Sequence, residues 1–201
     1  MSHPQIKLTY FNGTGRAELT RLLLVASGIQ FEDERLQGPE FAALKPQLPL
    51  GQLPVVTVDG SVFPQSMAIA RYAARLGGLY PTDALQTLKV ESALESLIDA
   101  INAFIDIKFR TPDEAAKAEK TTKFVQTTLP AVFGYIEKQF AGKFFLGDKM
   151  GIVDLSLFDF ITNGITAASI QFDVTKFPKI KGAIDAVKAD AKIAAYLAKT
   201  H

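Results

Sequence analysis

The feature that most constrains this chain is a change of pattern near residue 80. Before it, strand-like and helix-like stretches alternate; after it, strand signals nearly vanish. Gln5–Phe11 (QIKLTYF) alternates polar and apolar residues and is rich in β-formers, so it predicts a strand. Asn12-Gly13-Thr14-Gly15 is turn chemistry. Arg16–Ser27 places Leu19, Leu22, Leu23 and Ala26 at helical spacing, with Gly28 as the stop. Phe31–Leu36 predicts a charged strand near a sheet edge. Gly38–Gly51, with three prolines, predicts a loop with one helical turn in it. Leu53–Val58 is apolar and β-branched, and Asp59-Gly60 signals a hairpin that pairs Ser61–Phe63 back. From Ser66 the spacing of Ala68, Ile69, Tyr72, Ala73 and Leu76 predicts a helix that ends at Gly77-Gly78. The order β-α-β, long loop, β-β-α predicts a mixed four-stranded sheet covered by helices.

Beyond Tyr80-Pro81 the chain predicts helices. Asp83 caps a long one reaching about Arg110, with Leu94, Leu97, Ile101 and Phe104 on its apolar side. Thr111-Pro112-Asp113-Glu114 predicts a new start, with Thr111 as cap and Glu114 closing a capping box. Pro130 is expected to bend the helix that follows. Ile152–Ser169 is so apolar that it predicts the buried central helix. Pro178 opens another helix, and Ala189–Lys199 closes the chain. The resulting domain expectation is an α/β domain over residues 1–79 and an all-helical domain over residues 82–201.

Composition removes several kinds of chemistry. With no cysteine, thiol–disulfide exchange, cysteine nucleophiles, thiolate zinc sites and disulfide frameworks are out. The two histidines, His3 and His201, sit at the ends, which argues against histidine catalysis or a histidine metal cage. A net charge of +1 leaves no electrostatic footprint for nucleic acid or an anionic membrane. No apolar run approaches the roughly 18 residues of a spanning helix. MSHPQIKLTY shows no basic n-region leading into an apolar h-region, so a cytoplasmic location is expected.

Individual motifs carry chemistry only in combination. Gly13-Thr14-Gly15 is no dinucleotide fingerprint, because the third glycine of GxGxxG falls on Glu18. Tyr10 ends the first strand, where a phenol can either pack or donate into a cleft. Leu53-Pro54 leads into a strand; it is either a plain edge proline or a point where the backbone of Leu53 stays open to an extended peptide. Gln65-Ser66 opens a helix, either as an ordinary cap or as a carboxylate site. Glu95 and Asp99 share one helix face, which is a solvated acidic face, a subunit interface or a weak divalent-cation site.

Taken together the motifs resemble one family. Tyr10-Phe11-Asn12, Gly15-Arg16-Ala17-Glu18, Leu50-Gly51-Gln52-Leu53-Pro54-Val55, Gln65-Ser66 and Ile69-Ala70-Arg71-Tyr72 are similar to the cytosolic glutathione S-transferases, in particular the sigma class. Gly147–Asp154 (GDKMGIVD) resembles the family's segment before its central helix. The resemblance spans almost the whole chain. It implies a thioredoxin-like domain plus a helical domain, assembled as a homodimer, with glutathione as co-substrate, no metal, and a detoxification role toward hydrophobic electrophiles. It implies that the Tyr10 hydroxyl hydrogen-bonds the glutathione sulfur and that Arg16 supports it. It implies that Leu53, before a cis Pro54, pairs with the cysteinyl part. Gln65 and Ser66 match the pair that holds the γ-glutamyl end, Lys45 and Gln52 residues near the glycyl carboxylate, and Asp99 an acid reaching the neighbouring subunit's site. Phe11, Gly15, Phe104 and Lys108 are expected around the electrophile.

Three positions depart from the family pattern. Thr14 stands where relatives commonly carry arginine, Phe41 where sigma relatives have a tryptophan near the glycyl end, and Gly151 where a Ser or Thr cap is usual. The first two point to a general transferase rather than a specialised prostaglandin isomerase. The absence of cysteine sets aside the thioltransferase branch. A non-enzymatic ligand-binding or crystallin-like member of the fold is the alternative.

Overall fold

The computed structural model describes residues 4–200. His3 and His201 lie outside the described residues. The chain divides into two compact units: one from the residues up to Tyr80 together with those from Asp190 on, the other Pro81–Ala189.

The first unit is built on a four-stranded sheet in the order β2-β1-β3-β4. Its strands are β1 (Ile6–Phe11), β2 (Glu32–Leu36), β3 (Val55–Val58) and β4 (Ser61–Pro64). β1 pairs parallel with β2 and antiparallel with β3, and β3 pairs antiparallel with β4. The charged strand β2 lies at an edge, as its sequence predicts. At the hairpin, Asp59 and Gly60 take φ of 46° and 87°, the left-handed pair that a two-residue connection needs.

Helix α1 (Glu18–Ser27) follows a short 3-10 turn at Gly15–Ala17 and stops at Gly28, whose φ is 72°. It packs on α3 (Ser66–Leu76), and Leu8, Leu22, Leu23, Ala70 and Ala74 are buried. The segment expected to be mostly loop carries a full helix, α2 (Gly38–Leu44), and a 3-10 turn at Lys45–Gln47. The reason is local: Pro39 sits in the first turn, and the Glu40 Oε2 accepts the Gln37 N–H at 2.6 Å, so a supposed breaker helps the helix start.

The second unit is helical. Asp83 caps α4 (Ala84–Ile105) by accepting the Gln86 N–H at 2.9 Å. The helical path continues as a π turn over Asp106–Arg110. Helix α5 (Glu114–Lys123) is capped by Asp113 and not by the expected Thr111. The Asp113 carboxylate accepts the Ala116 N–H at 2.7 Å, while the Thr111 hydroxyl is turned back to the Asp106 carbonyl at 3.0 Å. A second π turn, Phe124–Thr128, precedes α6 (Leu129–Gln139). Pro130, expected to bend a helix, stands in the first turn of α6, where its missing N–H is tolerated. Helix α7 (Ile152–Asp159) and the π stretch Phe160–Thr166 form the predicted central segment. Ile152, Val153, Leu155, Leu157 and Phe158 are each at most 1% exposed. It packs against α4 and α8 (Pro178–Ala189).

Asp154 ties the entry to α7. Its carboxylate accepts the Phe145 N–H at 2.9 Å and the Gly151 N–H at 2.8 Å. The loop is therefore ordered without a capping hydroxyl at Gly151. The final helix, α9 (Ala191–Thr200), packs on α1, although its position in the sequence groups it with the helical half.

Candidate active site

Sheet register assembles the candidate residues at one end of the first unit. Thr9 pairs with Val55, and Val55 pairs with Pro64, so these three form one row across the sheet. One residue past that row lie Tyr10 on β1, Pro54 before β3 and Gln65 after β4. Residues far apart in sequence thus share one sheet end, beside the amino end of α3 at Ser66.

Each position offers a different group. Leu53–Pro54 is a cis peptide, as expected, and Leu53 lies outside the ladder, which starts at Val55. Gln65 has a φ of 79°, a left-handed value that an L residue with a long side chain rarely adopts. Backbone held in such a region concentrates where side chains or peptide groups must be aimed. The turn aims Ser66 and the first N–H groups of α3, a place suited to an anion. Lys45 lies beside the Gly51-Gln52 loop: a Cβ built on Gly51 would sit 3.6 Å from its Cε. Phe11 and Phe41 meet edge to face at 5.0 Å, and Tyr10 meets Phe11 at 5.4 Å.

Tyr10 is held closely. Its hydroxyl oxygen accepts the Arg16 main-chain N–H at 3.1 Å. Gly15, with a φ of 44°, comes so near that a Cβ there would press on the hydroxyl and lie 2.8 Å from ring Cε1. The contact of Arg16 with the tyrosine is made by its peptide N–H, while its side chain is exposed.

The residue that sequence reasoning missed is Arg21. Its side chain is fully buried. Its Nε donates to Asp33 at 2.9 Å, and its Nη1 donates to Glu18 at 3.0 Å and to the Gly13 carbonyl at 2.7 Å. Its charge sits 6.0 Å from the Tyr10 ring centroid. The available signal was an arginine among Leu19, Leu22, Leu23 and Leu24, three residues after Glu18, on a helix face otherwise destined for the core.

The remaining candidates belong to the helical unit. Phe104 and Lys108 border a cavity of about 670 Å³ that Ile107, Thr121, Val125 and Ile170 also line. The Lys108 Nζ lies 5.7 Å from the Phe104 ring centroid. Asp99 is exposed on α4, one turn after the exposed Glu95. Among the described residues no group of three or more His, Cys, Asp or Glu could hold a metal ion. Among them also, no helix is long and apolar enough to cross a membrane.

This arrangement, a strand-end phenol beside a cis-proline strand entry and a helix amino end, agrees with comparison to known proteins. Residues 6–75 match the model of the glutathione S-transferase N-terminal domain, and residues 98–200 match that of the C-terminal domain. The chain belongs to the glutathione S-transferase family. Glutathione S-transferase 3 of Caenorhabditis elegans is 35% identical over 182 residues, covering 86% of each chain. S-crystallin SL11 of Nototodarus sloanii is 32% identical, covering 98% of this chain and 97% of the relative. Among solved structures, prostaglandin synthase D of Nilaparvata lugens superposes with a TM-score of 0.86 at 30% identity, covering 98% of both chains. Glutathione S-transferases use glutathione as co-substrate and typically assemble as dimers. The thioredoxin-like sheet unit and the helical unit of this chain are the family's architecture.

Proposed function

We propose that this glutathione S-transferase joins the glutathione thiolate to hydrophobic electrophiles, with Tyr10 as the catalytic group. The observation that carries the reading is the Tyr10 hydroxyl, whose oxygen accepts the Arg16 N–H at 3.1 Å. That bond occupies a lone pair of the oxygen, and the phenolic proton is left to donate outward. A phenol polarised in this way is a stronger donor.

A cysteine-type thiol has a pKa near ~8.5, so little of it is ionised at neutral pH. A hydrogen bond to a charged sulfur contributes roughly 1.5–3 kcal/mol. At about 1.36 kcal/mol per unit, that lowers the thiol pKa by about one to two units. The substrate brings the nucleophile, which fits a protein with no cysteine of its own. In the same reading the backbone of Leu53 pairs with the cysteinyl part, and Gln65, Ser66 and the start of α3 hold the γ-glutamyl end. Lys45 and Gln52 lie toward the glycyl carboxylate, with Phe41 beside them. Phe11 and Gly15 lie toward the electrophile's place. The working unit is a homodimer, in which Asp99 faces the partner's glutathione site.

Tyr10→Phe tests the assignment, since it removes one oxygen and keeps the ring. Conjugation at pH 6.5 should fall by roughly ten- to a hundredfold, and the deficit should shrink as pH rises. Wild-type rates at pH 6.5 would show that Tyr10 is not the activating group. The similarity to S-crystallin SL11 favours a second reading, a structural member of the fold. That reading predicts no turnover with any of a panel of electrophiles, in a well-folded protein.

A further inference from the structure

Arg21 is a costly residue to bury. Its guanidinium is completely enclosed, and among the described residues its Nη2 has no hydrogen-bond partner. An apolar side chain of similar volume would often serve stability as well or better. Two of the bonds it does make reach carbonyls of the turn after β1, and the others hold it to Glu18 and Asp33.

A continuous path runs from α9 to the tyrosine. The Tyr196 hydroxyl donates to Glu18 Oε1 at 2.9 Å. Glu18, 1% exposed, accepts Arg21 Nη1 through Oε2 at 3.0 Å. The same Nη1 holds the Gly13 carbonyl at 2.7 Å and reaches the Thr14 carbonyl at 3.5 Å. Two residues further on, the Arg16 N–H meets the Tyr10 hydroxyl. Asp33 fixes the other side of Arg21 and is itself held by Arg35 at 2.8 Å. The charged groups facing Arg21 are thus Glu18 on its own helix and Asp33, with Arg35 behind it, on β2; two acids and two arginines balance. The Tyr196 hydroxyl keeps its proton well above the usual phenol range, first because it is half-buried and then because Glu18 is beside it, so it remains a donor at working pH.

We propose that Arg21 is a positioning residue for Tyr10, and that the carboxyl-terminal helix α9 sets it through Tyr196 and Glu18. This rests on the reading of Tyr10 as the group that activates the sulfur. The clamp fixes the carbonyls of Gly13 and Thr14, and thereby the direction of the Arg16 N–H. If the clamp loosens, the phenol loses its incoming hydrogen bond and its aim. The effect should fall on thiol ionisation and turnover, while glutathione affinity, carried by groups elsewhere, is kept.

The test compares Tyr196→Phe, Arg21→Lys, Tyr10→Phe and the double variant Tyr10→Phe/Tyr196→Phe. Each is measured for conjugation rate against pH, thiolate absorbance of bound glutathione, and glutathione affinity by calorimetry. Tyr196→Phe should shift the pH–rate profile to higher pH and lower turnover at pH 6.5 by roughly three- to tenfold, with unchanged affinity. Arg21→Lys, which keeps the charge but cannot span both carbonyls and both carboxylates, should lose more. Tyr196→Phe should add nothing to Tyr10→Phe, because the path acts only through that hydroxyl. Should Arg21→Lys fail to fold, Tyr196→Phe decides the question by itself. An unshifted pH profile in folded Tyr196→Phe, while Tyr10→Phe loses its rate, overturns the clamp. A Tyr10→Phe variant with wild-type rates would instead overturn the reading beneath it.

Discussion

Replacing Gly15 by alanine adds one methyl group at the point where the turn meets Tyr10. The backbone there has a φ of 44°, and the new Cβ would press on the hydroxyl and lie 2.8 Å and 3.0 Å from ring Cε1 and Cζ. Two effects follow. Holding alanine in a left-handed conformation costs about 1–2 kcal/mol, which for a chain of this size lowers the melting temperature by about 2–8 °C. Independently, the ring must move, because the clashing atoms belong to a stiff aromatic group and not to the end of a flexible chain. The bond from Arg16 to the hydroxyl then breaks, and conjugation at pH 6.5 should drop nearly as far as in Tyr10→Phe, about tenfold or more. The assay is a two-by-two comparison of Gly15→Ala, Tyr10→Phe and their combination, each with rate against pH and a thermal melt. Since the hydroxyl is already gone in Tyr10→Phe, adding Gly15→Ala should leave the rate almost unchanged while still lowering the melting temperature. A Gly15→Ala enzyme that is less stable yet fully active at pH 6.5 would refute the reasoning, because it would separate the turn from the chemistry.

Ser66→Ala should raise the Michaelis constant for glutathione more than it lowers turnover, since a group remote from the sulfur binds ground and transition states alike; steady-state kinetics with varied glutathione reads this. Asp99→Ala should weaken glutathione binding several-fold by calorimetry and leave the melting temperature unchanged, in keeping with its exposed place on α4; a fully active wild-type monomer in light scattering would remove the cross-subunit role. Asp154 should give stability a definite pH slope. Burial raises its carboxyl to about 6, against the pull of the Phe145 and Gly151 N–H bonds. The folded value exceeds the unfolded one, so this contribution is complete below about pH 4 and fades as pH rises through about 6, by at most ~3 kcal/mol. Denaturant titrations of the wild type and Asp154→Asn should differ in slope across that window and run parallel above it.

Much of the architecture could be read from the chain because local signals agree with the fold. Asp59-Gly60, Gly28 and Asp83 each stand where a turn, a stop and a cap occur. The cluster of Tyr10, Leu53-Pro54 and Gln65-Ser66 was legible only through resemblance, since sheet register, which brings them together, is not a local property. Thr111 was misread because its neighbour Asp113 is an equally good cap and competes for the same N–H groups. The α2 helix was hidden by Pro39, a breaker inside a helix but a good residue in its first turn. The left-handed Gln65 depends on the geometry of its turn, and the buried Arg21 depends on Asp33, 12 residues away in β2, and on Glu18, which Tyr196 meets from 178 residues away in α9.

The association of α9 with the sheet unit has a consequence for how the polypeptide matures during synthesis. The strands and first three helices emerge from the ribosome early, yet the phenol that bonds Glu18 beside Arg21 arrives only with residue 196. Amino-terminal units ordinarily fold first as translation proceeds. Here the nascent sheet unit must wait through the making of the whole helical unit with a buried acid still missing its phenol. It closes last, by a contact of very long range, which is the slow kind to find. Nascent chains arrested before codon 190 should therefore be cut more readily by protease within residues 12–27 than chains released complete, even where the helical unit is already protected.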